Sequence, residues 1–340
     1  MKGGLKMVVI QSYPLAVALC FVTMLCWGSW ANTQKLASKE WKFQLFYWDY
    51  CIGVVLLSLI AAFTMGSMGP TGRGFLADLR QATGAAIGFA FLGGVVFNLA
   101  NILLVAAIDI AGMAVAFPIG IGIALVEGVI INYILKPQGN PILLFAGVAA
   151  IAVAIIIDAL AYRQLAGDQQ KTTTKGIIIS IFAGLLMGLF YYLVQRGVAS
   201  DFMNPEAGKM GPYAAVFIFS LGVFLSSFVW NTIVMAKPFV GEPVPIGDYF
   251  NKGNLRLHLI GILGGIIWSI GMTVNNVAAG KAGPAISYGL GQGATMIAAL
   301  WGVFIWREFK SAPAGTNKLL ALMFAFYAVG LCLLITAKIV

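Results

Sequence analysis

The sequence predicts an all-α membrane protein, with ten transmembrane helices arranged as two inverted five-helix repeats. Three observations lead there. The 340 residues are 60% hydrophobic and only 10% charged, with a mean hydropathy of +0.93, whereas a soluble domain carries about 25% charged residues. Apolar runs of roughly 20 residues, enough to cross about 30 Å of hydrocarbon, recur along the whole chain. Finally, residues 93–128 and 264–299 repeat one another. A shift of 171 positions carries Gly93-Gly94, Gly112, Gly120 and Gly122 onto Gly264-Gly265, Gly283, Gly291 and Gly293.

The runs fall near 14–36, 44–66, 84–108, 111–135, 141–162, 175–198, 213–235, 256–280, 283–306 and 317–338. Helix is the expected state of each, because lipid offers the backbone no outside hydrogen-bond partner. The repeat reaches further: residues 16–38 match 176–198 at a shift of 160, placing Trp27-Gly28 on Met187-Gly188 and Lys35 on Gln195. The extra residues of the later shift lie around the loop 236–255. The units are therefore 1–165 and 166–340. Five spans per unit is odd, so the second copy enters from the opposite face.

The first run begins behind Lys2 and Lys6 and continues to about Ala31, too far for a cleaved leader, so it is read as a retained helix. Cys20, Cys26, Cys51 and Cys332 lie in apolar runs and are expected as buried thiols, without disulfide or metal. The formal charge of +9 is spread over short loops, the pattern of membrane flanks and not of nucleic-acid binding. With the termini on one face, nine of the 21 Lys and Arg lie there and 12 on the other, which marginally favours a cytoplasmic second face.

Interrupted apolar segments in matched positions of two halves point to a solute cavity between them. Pro118 and Gly289 are the expected interruptions and hinges, since proline removes a backbone donor and frees a carbonyl. Glu127 is the acid clearly inside a span and is assigned proton coupling, because a charge at mid-bilayer is costly and is usually kept for function. Asp158 is read as an interfacial pair with Arg163, Asp109 and Lys281 as solvated joints, and Asp49 as a partner of Lys35 or Lys42. Asn98, Asn101, Asn275 and Gln292, with Asn276, offer hydrogen bonds to a solute, against the alternative that such groups join helices. Trp27, Phe117, Trp268 and Tyr288, together with Trp30, Tyr191 and Tyr192, could stack on its ring. Trp41, Trp48, Trp301 and Trp306 read as span-end belt residues. A lone histidine, His258, at a span entrance and the lack of a GxxxxGK[ST] motif leave no cofactor, metal, ATP motor or enzyme chemistry to expect.

The segments CWGSWANTQKL (26–36), FYWDY (46–50), GRGFLADL (72–79), GGVVFNLANILL (93–104), AGMAVAFPIGIGIALVEGVIINY (111–133) and GPAISYGLGQG (283–293) resemble the drug/metabolite transporter superfamily. Within it the chain resembles the ureide permease and glucose/ribose/rhamnose porter branch. The resemblance implies an alternating-access secondary transporter with a cavity lined by spans 1, 3, 4, 6, 8 and 9. Plant ureide permeases take up oxo-nitrogen heterocycles such as allantoin and uracil with protons. Their long loop between spans 5 and 6 carries an ATP-motif-like sequence that the RQLAGDQQKTTTK segment (163–175) lacks. The function expected is proton-coupled uptake of a small polar solute. A sugar such as a pentose or deoxyhexose stands slightly ahead of a nucleobase or ureide, and drug or metabolite export is the rival. The expected partners are that solute, a proton and the lipid bilayer of a bacterial inner (plasma) membrane. Nucleic acid is excluded, and a homodimer is left open.

Overall fold

The computed structural model describes residues 5–166 and 174–340, so most of the segment 163–175 lies outside the described residues. Among the described residues, ten helices are long and apolar enough to cross a membrane: Tyr13–Ala37, Phe43–Phe63, Gly84–Ala111, Val115–Leu135, Pro141–Leu165, Thr174–Gly197, Pro212–Ala236, Leu255–Ala282, Pro284–Ile305 and Thr316–Thr336. They are spans 1 to 10 below. The sequence places every one of them, with ends within four residues. Local chemistry sets several starts. Ser12 accepts from Leu15 N–H, Thr83 from Ala86 N–H and Asn254 from Leu257 N–H, each occupying a donor that the first helical turn leaves free.

Span 3 packs on spans 6 and 7, span 8 on spans 1 and 2, span 4 on span 6, and span 9 on span 1, with span 5 against span 10. This mirrored pairing is compatible with two inverted units. Glycine lets the backbones touch: a Cβ on Gly94 would sit 2.0 Å from Phe219 O, and one on Gly265 would sit 1.9 Å from Tyr50 O. The joints between spans 3 and 4 and between spans 8 and 9 turn at Gly112 (φ 77°, ψ 160°) and Gly283 (φ 87°, ψ 151°). Both need the positive φ that glycine adopts without strain.

With an even number of spans both termini share one face, the terminal face; the other is the distal face. Loops on the terminal face are clamped by the GRGFLADL segment. Arg73 donates to Asp78 (2.9 Å) and to Pro205 O, Glu206 O and Lys209 O, while Gly211 N–H donates to Asp78 at 2.5 Å. Burial pushes the Asp78 carboxyl up from its ordinary value, outweighing the Gly211 and Arg73 bonds that hold it down.

Several expectations change. Residues Met113–Leu135 form one continuous helix through Pro118, and span 9 is interrupted three residues after Gly289, at Gln292-Gly293. Gly289 serves close packing, since a Cβ there would meet Val129 at 3.2 Å and Leu334 at 3.3 Å. Cys20 and Cys51 are buried, but Cys26 is half-buried and Cys332 is exposed, because the first and last spans are peripheral.

Candidate functional site

A cavity of about 480 Å³ opens on the distal face, where spans 1, 3, 5 and 9 end. Its floor is aromatic. Trp27 of span 1 lies parallel to Trp268 of span 8 (centroids 5.9 Å apart, planes at 13°), and Phe97 of span 3 closes on Trp268 at 4.4 Å. Phe190 of span 6 and Phe117 of span 4 complete the apolar walls, and Asn101 of span 3 and Gln292 at the span 9 break supply amides. The break places Gln292 there: its N–H bonds to Tyr288 O and its own carbonyl accepts from Thr295 Oγ1, so the turn is held locally while the side chain faces the cavity. The Trp27 indole N–H is buried without a partner.

The rim is polar and charged. Lys35 Nζ pairs with Glu308 Oε1 at 2.5 Å, and the Tyr162 hydroxyl donates to Glu308 Oε2 at 2.9 Å. Trp306 donates to Asn32 Oδ1 (2.6 Å) and Trp301 to Ser29 Oγ (2.8 Å), tying span 9 to span 1. Asp158 of span 5 lines the same wall, buried, with Oδ1 lacking a partner. The described residues contain no His/Cys/Asp/Glu group with the makings of a metal site.

Of the residues singled out from sequence, Trp27, Asn101, Phe117, Trp268 and Gln292 line this cavity, as does Trp30. Asn98, Asn275 and Tyr288 do not. Asn98 lies beneath it in a helix-joining network: it accepts from the Tyr47 hydroxyl (2.9 Å) and donates to Val223 O, Ser226 Oγ and Ser227 Oγ. Tyr288 stacks on Tyr191 (5.3 Å) and donates to the Met187 carbonyl. Asn275 is fully buried, and neither end of its amide has a partner. Glu127 points across span 4 to span 6, its Oε2 2.8 Å from where a Cβ on Gly188 would sit.

Other pairings are corrected. Asp49 joins neither lysine; it bonds His258 Nδ1 (3.0 Å), the Tyr249 hydroxyl (2.5 Å) and the Trp41 indole (3.3 Å). That buries Trp41 and removes it from the interfacial belt. Asp158 forms no ion pair with Arg163 and lines the cavity wall together with Tyr162 and Glu308 instead. Trp301 and Trp306 face the cavity because the span 9 break and the π-helical turn Trp301–Ile305 rotate its last turns inward. Asp109, exposed and three residues before the Gly112 joint as expected, also lines the mouth of the cavity.

A second recess of about 340 Å³ opens on the terminal face, between Lys136, Gln195, Arg196, Lys209, Ala279 and Gly280. Burial lowers the Lys136 ammonium from its ordinary range, against the raising charges of Glu206 and Asp201. Between the two openings lie the Tyr191–Tyr288 stack and a bond from Gln195 Nε2 to Asn276 Oδ1 at 2.8 Å.

Among the described residues, ten helices that could span a membrane surround a polar-rimmed aromatic cavity, the architecture of a multi-pass membrane transporter of small polar solutes. The ureide permease family model matches residues 46–175 and 169–337, and the chain belongs to that family. It is similar to ureide permease 1 (23% identical) and ureide permease 2 (24% identical) of Arabidopsis thaliana, each alignment covering 98% of this chain and 99% of the relative. It is also similar to the glucose uptake protein GlcU of Bacillus subtilis (strain 168), 26% identical over 73% of this chain and 75% of that one. One crystal structure shares the fold at a TM-score of 0.58 and 16% identity, covering 95% of this chain and 98% of that chain.

Proposed function

We propose that the protein moves a ureide or a related flat oxo-nitrogen heterocycle, with allantoin as the reference solute, by proton-coupled alternating access across a plasma membrane. The observation that carries this reading is the lining of the distal cavity, where half-buried Trp27, Trp30 and Phe117 present ring surface beside the amides of Asn101 and Gln292, above a packed floor of Phe97 and Trp268. The flat ring of uracil, or the near-planar imide face of allantoin's hydantoin ring, stacks on aromatic faces at little cost in ordering. Its N–H and C=O edge is what a carboxamide pairs with, as Asn101 and Gln292 offer in the cavity wall. The names of the ureide permease relatives support the same class. A sugar is the second reading, favoured by the GlcU likeness, since a pyranose face also stacks on indole.

Glu127 is the proposed coupling carboxylate, and Asp158, in the cavity wall, is its rival. The test is a thermal-shift panel of allantoin, uracil and glucose, followed by uptake of radiolabelled allantoin into proteoliposomes. A ligand at 100 times its Kd stabilises the folded form by about 2.7 kcal/mol. A shift with glucose and none with allantoin or uracil overturns the ureide reading. Glu127→Gln is expected to abolish accumulation against a gradient while leaving counterflow exchange. The same phenotype from Asp158→Asn, with accumulation intact in Glu127→Gln, transfers the role to Asp158.

A further inference from the structure

The pairing of the two halves holds contact for contact. A Cβ on Gly53 would lie 2.1 Å from Ile262 O, and one on Gly222 would lie 2.2 Å from Phe91 O; Phe91 and Ile262 are 171 positions apart, and Gly53 and Gly222 are 169 apart. The glycine joints at 112 and 283 share one backbone conformation. The same register relates the two openings. On span 3, Leu104, Ile108 and Asp109 line the distal cavity. Their counterparts on span 8 are Asn275, Ala279 and Gly280, of which the last two already line the recess on the terminal face. Between that recess and Trp268, one turn of span 8 before Ala279, sits Asn275.

Asn275 and its neighbours in the register break the symmetry in a telling way. Leu104 is apolar, yet its counterpart is a fully buried amide with both polar ends unpartnered. Ala298 lines the distal cavity, and its counterpart Glu127 carries a buried, unpartnered oxygen. Buried polar groups normally find partners, and in lipid the incentive is greater. Two unsatisfied groups at the positions that would face a cavity on the other side are therefore groups whose partner is absent from this conformation.

We propose that Asn275 is the solute contact of a second half-site, sealed in this structure and opened to the terminal face, together with Glu127, when the two halves exchange roles. Its ligand is the paired N–H and C=O edge of an amide or ureido group, to which the Asn275 carboxamide presents its own acceptor and donor side by side. The seal is the Tyr191–Tyr288 stack and the Gln195–Asn276 bond. Only the ligand class rests on the ureide reading; the position of the half-site does not.

The test is sided thiol labelling in oriented proteoliposomes, in a chain whose four native cysteines are replaced by alanine. Ala298→Cys is expected to react with a small charged methanethiosulfonate reagent from the distal face. Asn275→Cys should react from the terminal face only, and allantoin should slow that reaction. Met272→Cys, the counterpart of Asn101 and less than a turn away, gives the same readout if Asn275→Cys does not fold. Ala279→Cys, which already lines the terminal recess, sets the time scale. Asn275→Cys staying unreacted while Ala279→Cys is fully labelled, or reacting from the distal face, overturns the half-site even if allantoin transport persists. Terminal-face labelling without protection by allantoin supports the half-site and counts against the ureide reading instead.

Discussion

Asn98 and Asn101 lie one helical turn apart on span 3 and look interchangeable in the sequence, so removing each amide separates binding from architecture. In Asn98→Ala the hydrogen bonds to Val223 O, Ser226 and Ser227 are lost, but both serines still donate to the Val223 carbonyl (3.2 and 2.9 Å). The fully buried Tyr47 hydroxyl still accepts from Asn101 Nδ2 (3.2 Å), but its own O–H, which donated to Asn98 Oδ1 at 2.9 Å, is left without an acceptor. A buried donor without a partner costs about 1–3 kcal/mol, and hydrogen bonds between membrane helices average about 0.6 and reach about 1.7 kcal/mol. With the small void added, the expected destabilisation is about 2 kcal/mol, roughly a 30-fold change in the folding equilibrium. It is measurable by unfolding in mixed detergent, with allantoin affinity staying within about threefold because the side chain is outside the cavity. In Asn101→Ala the amide is lost from the cavity wall together with its bond from Nδ2 to the Tyr47 hydroxyl (3.2 Å), so affinity falls about tenfold or more, with a smaller loss of stability because Tyr47 keeps Asn98 as its acceptor. Stability unchanged within about 0.5 kcal/mol in Asn98→Ala, or affinity lost there without loss of stability, would refute the assignment.

The remaining predictions concern packing and the loop clamp. Gly265→Ala and Gly94→Ala drive a methyl into a backbone carbonyl 1.9 to 2.0 Å away and should each cost about 1–3 kcal/mol, whereas Gly122→Ala meets nothing within 4 Å and should be neutral or up to about 1 kcal/mol stabilising; equal effects at all three sites in a thermal melt would count against close approach as the reason for these glycines. Arg73→Met leaves the buried Asp78 carboxylate without its cation and should cost about 3 kcal/mol near pH 7. Because burial already raises the Asp78 pKa in the folded state, the favourable contribution of its protonated form is complete below the unfolded value and is lost as pH rises through the folded one. The Arg73→Met deficit should therefore shrink as the carboxyl protonates on acidification, and a deficit that grows on acidification, followed by detergent-unfolding midpoints, would contradict it.

The fold was legible because lipid leaves the chain few choices. Span length and hydropathy fix each helix, and the positions of Gly93, Gly112 and Gly283 carried the repeat in plain view. The site was legible only in part. Trp27, Asn101, Phe117, Trp268 and Gln292 stood out as polar or aromatic residues inside apolar runs, and all five meet at one cavity. What sequence could not supply is which way a helix is turned. Asn98 faces span 7 and Asn101 the cavity, a rotation that periodicity on an almost wholly apolar helix does not report. Asp158, 17 residues beyond the start of span 5, had the same credentials as Glu127 and was misread through its nearness to Arg163. Trp301 and Trp306 turn inward only because span 9 breaks at Gln292-Gly293, not at Gly289.

The two openings are unequal for a reason that the repeat exposes. On the sealed side Gln195 bonds Asn276, joining span 6 to span 8. The counterparts on the open side are Lys35 and Val105, and a lysine cannot bond a valine side chain. Lys35 turns instead to Glu308, at the distal end of span 9, in a pair that is 44% and 28% exposed. Partly exposed pairs of this kind contribute about 0–1 kcal/mol, so the distal side is held open or closed only weakly. The terminal side is closed by a buried stack and an amide–amide bond, whose opening must be offset by what the solute gains at Asn275 and Glu127. Gln195→Leu removes that bond without touching the distal cavity. It should shift the resting population toward the terminal-open state, raising Asn275→Cys labelling from the terminal face and lowering Ala298→Cys labelling from the distal face in step. Labelling of both positions rising together would mean that the seals open independently, and that the halves do not exchange roles.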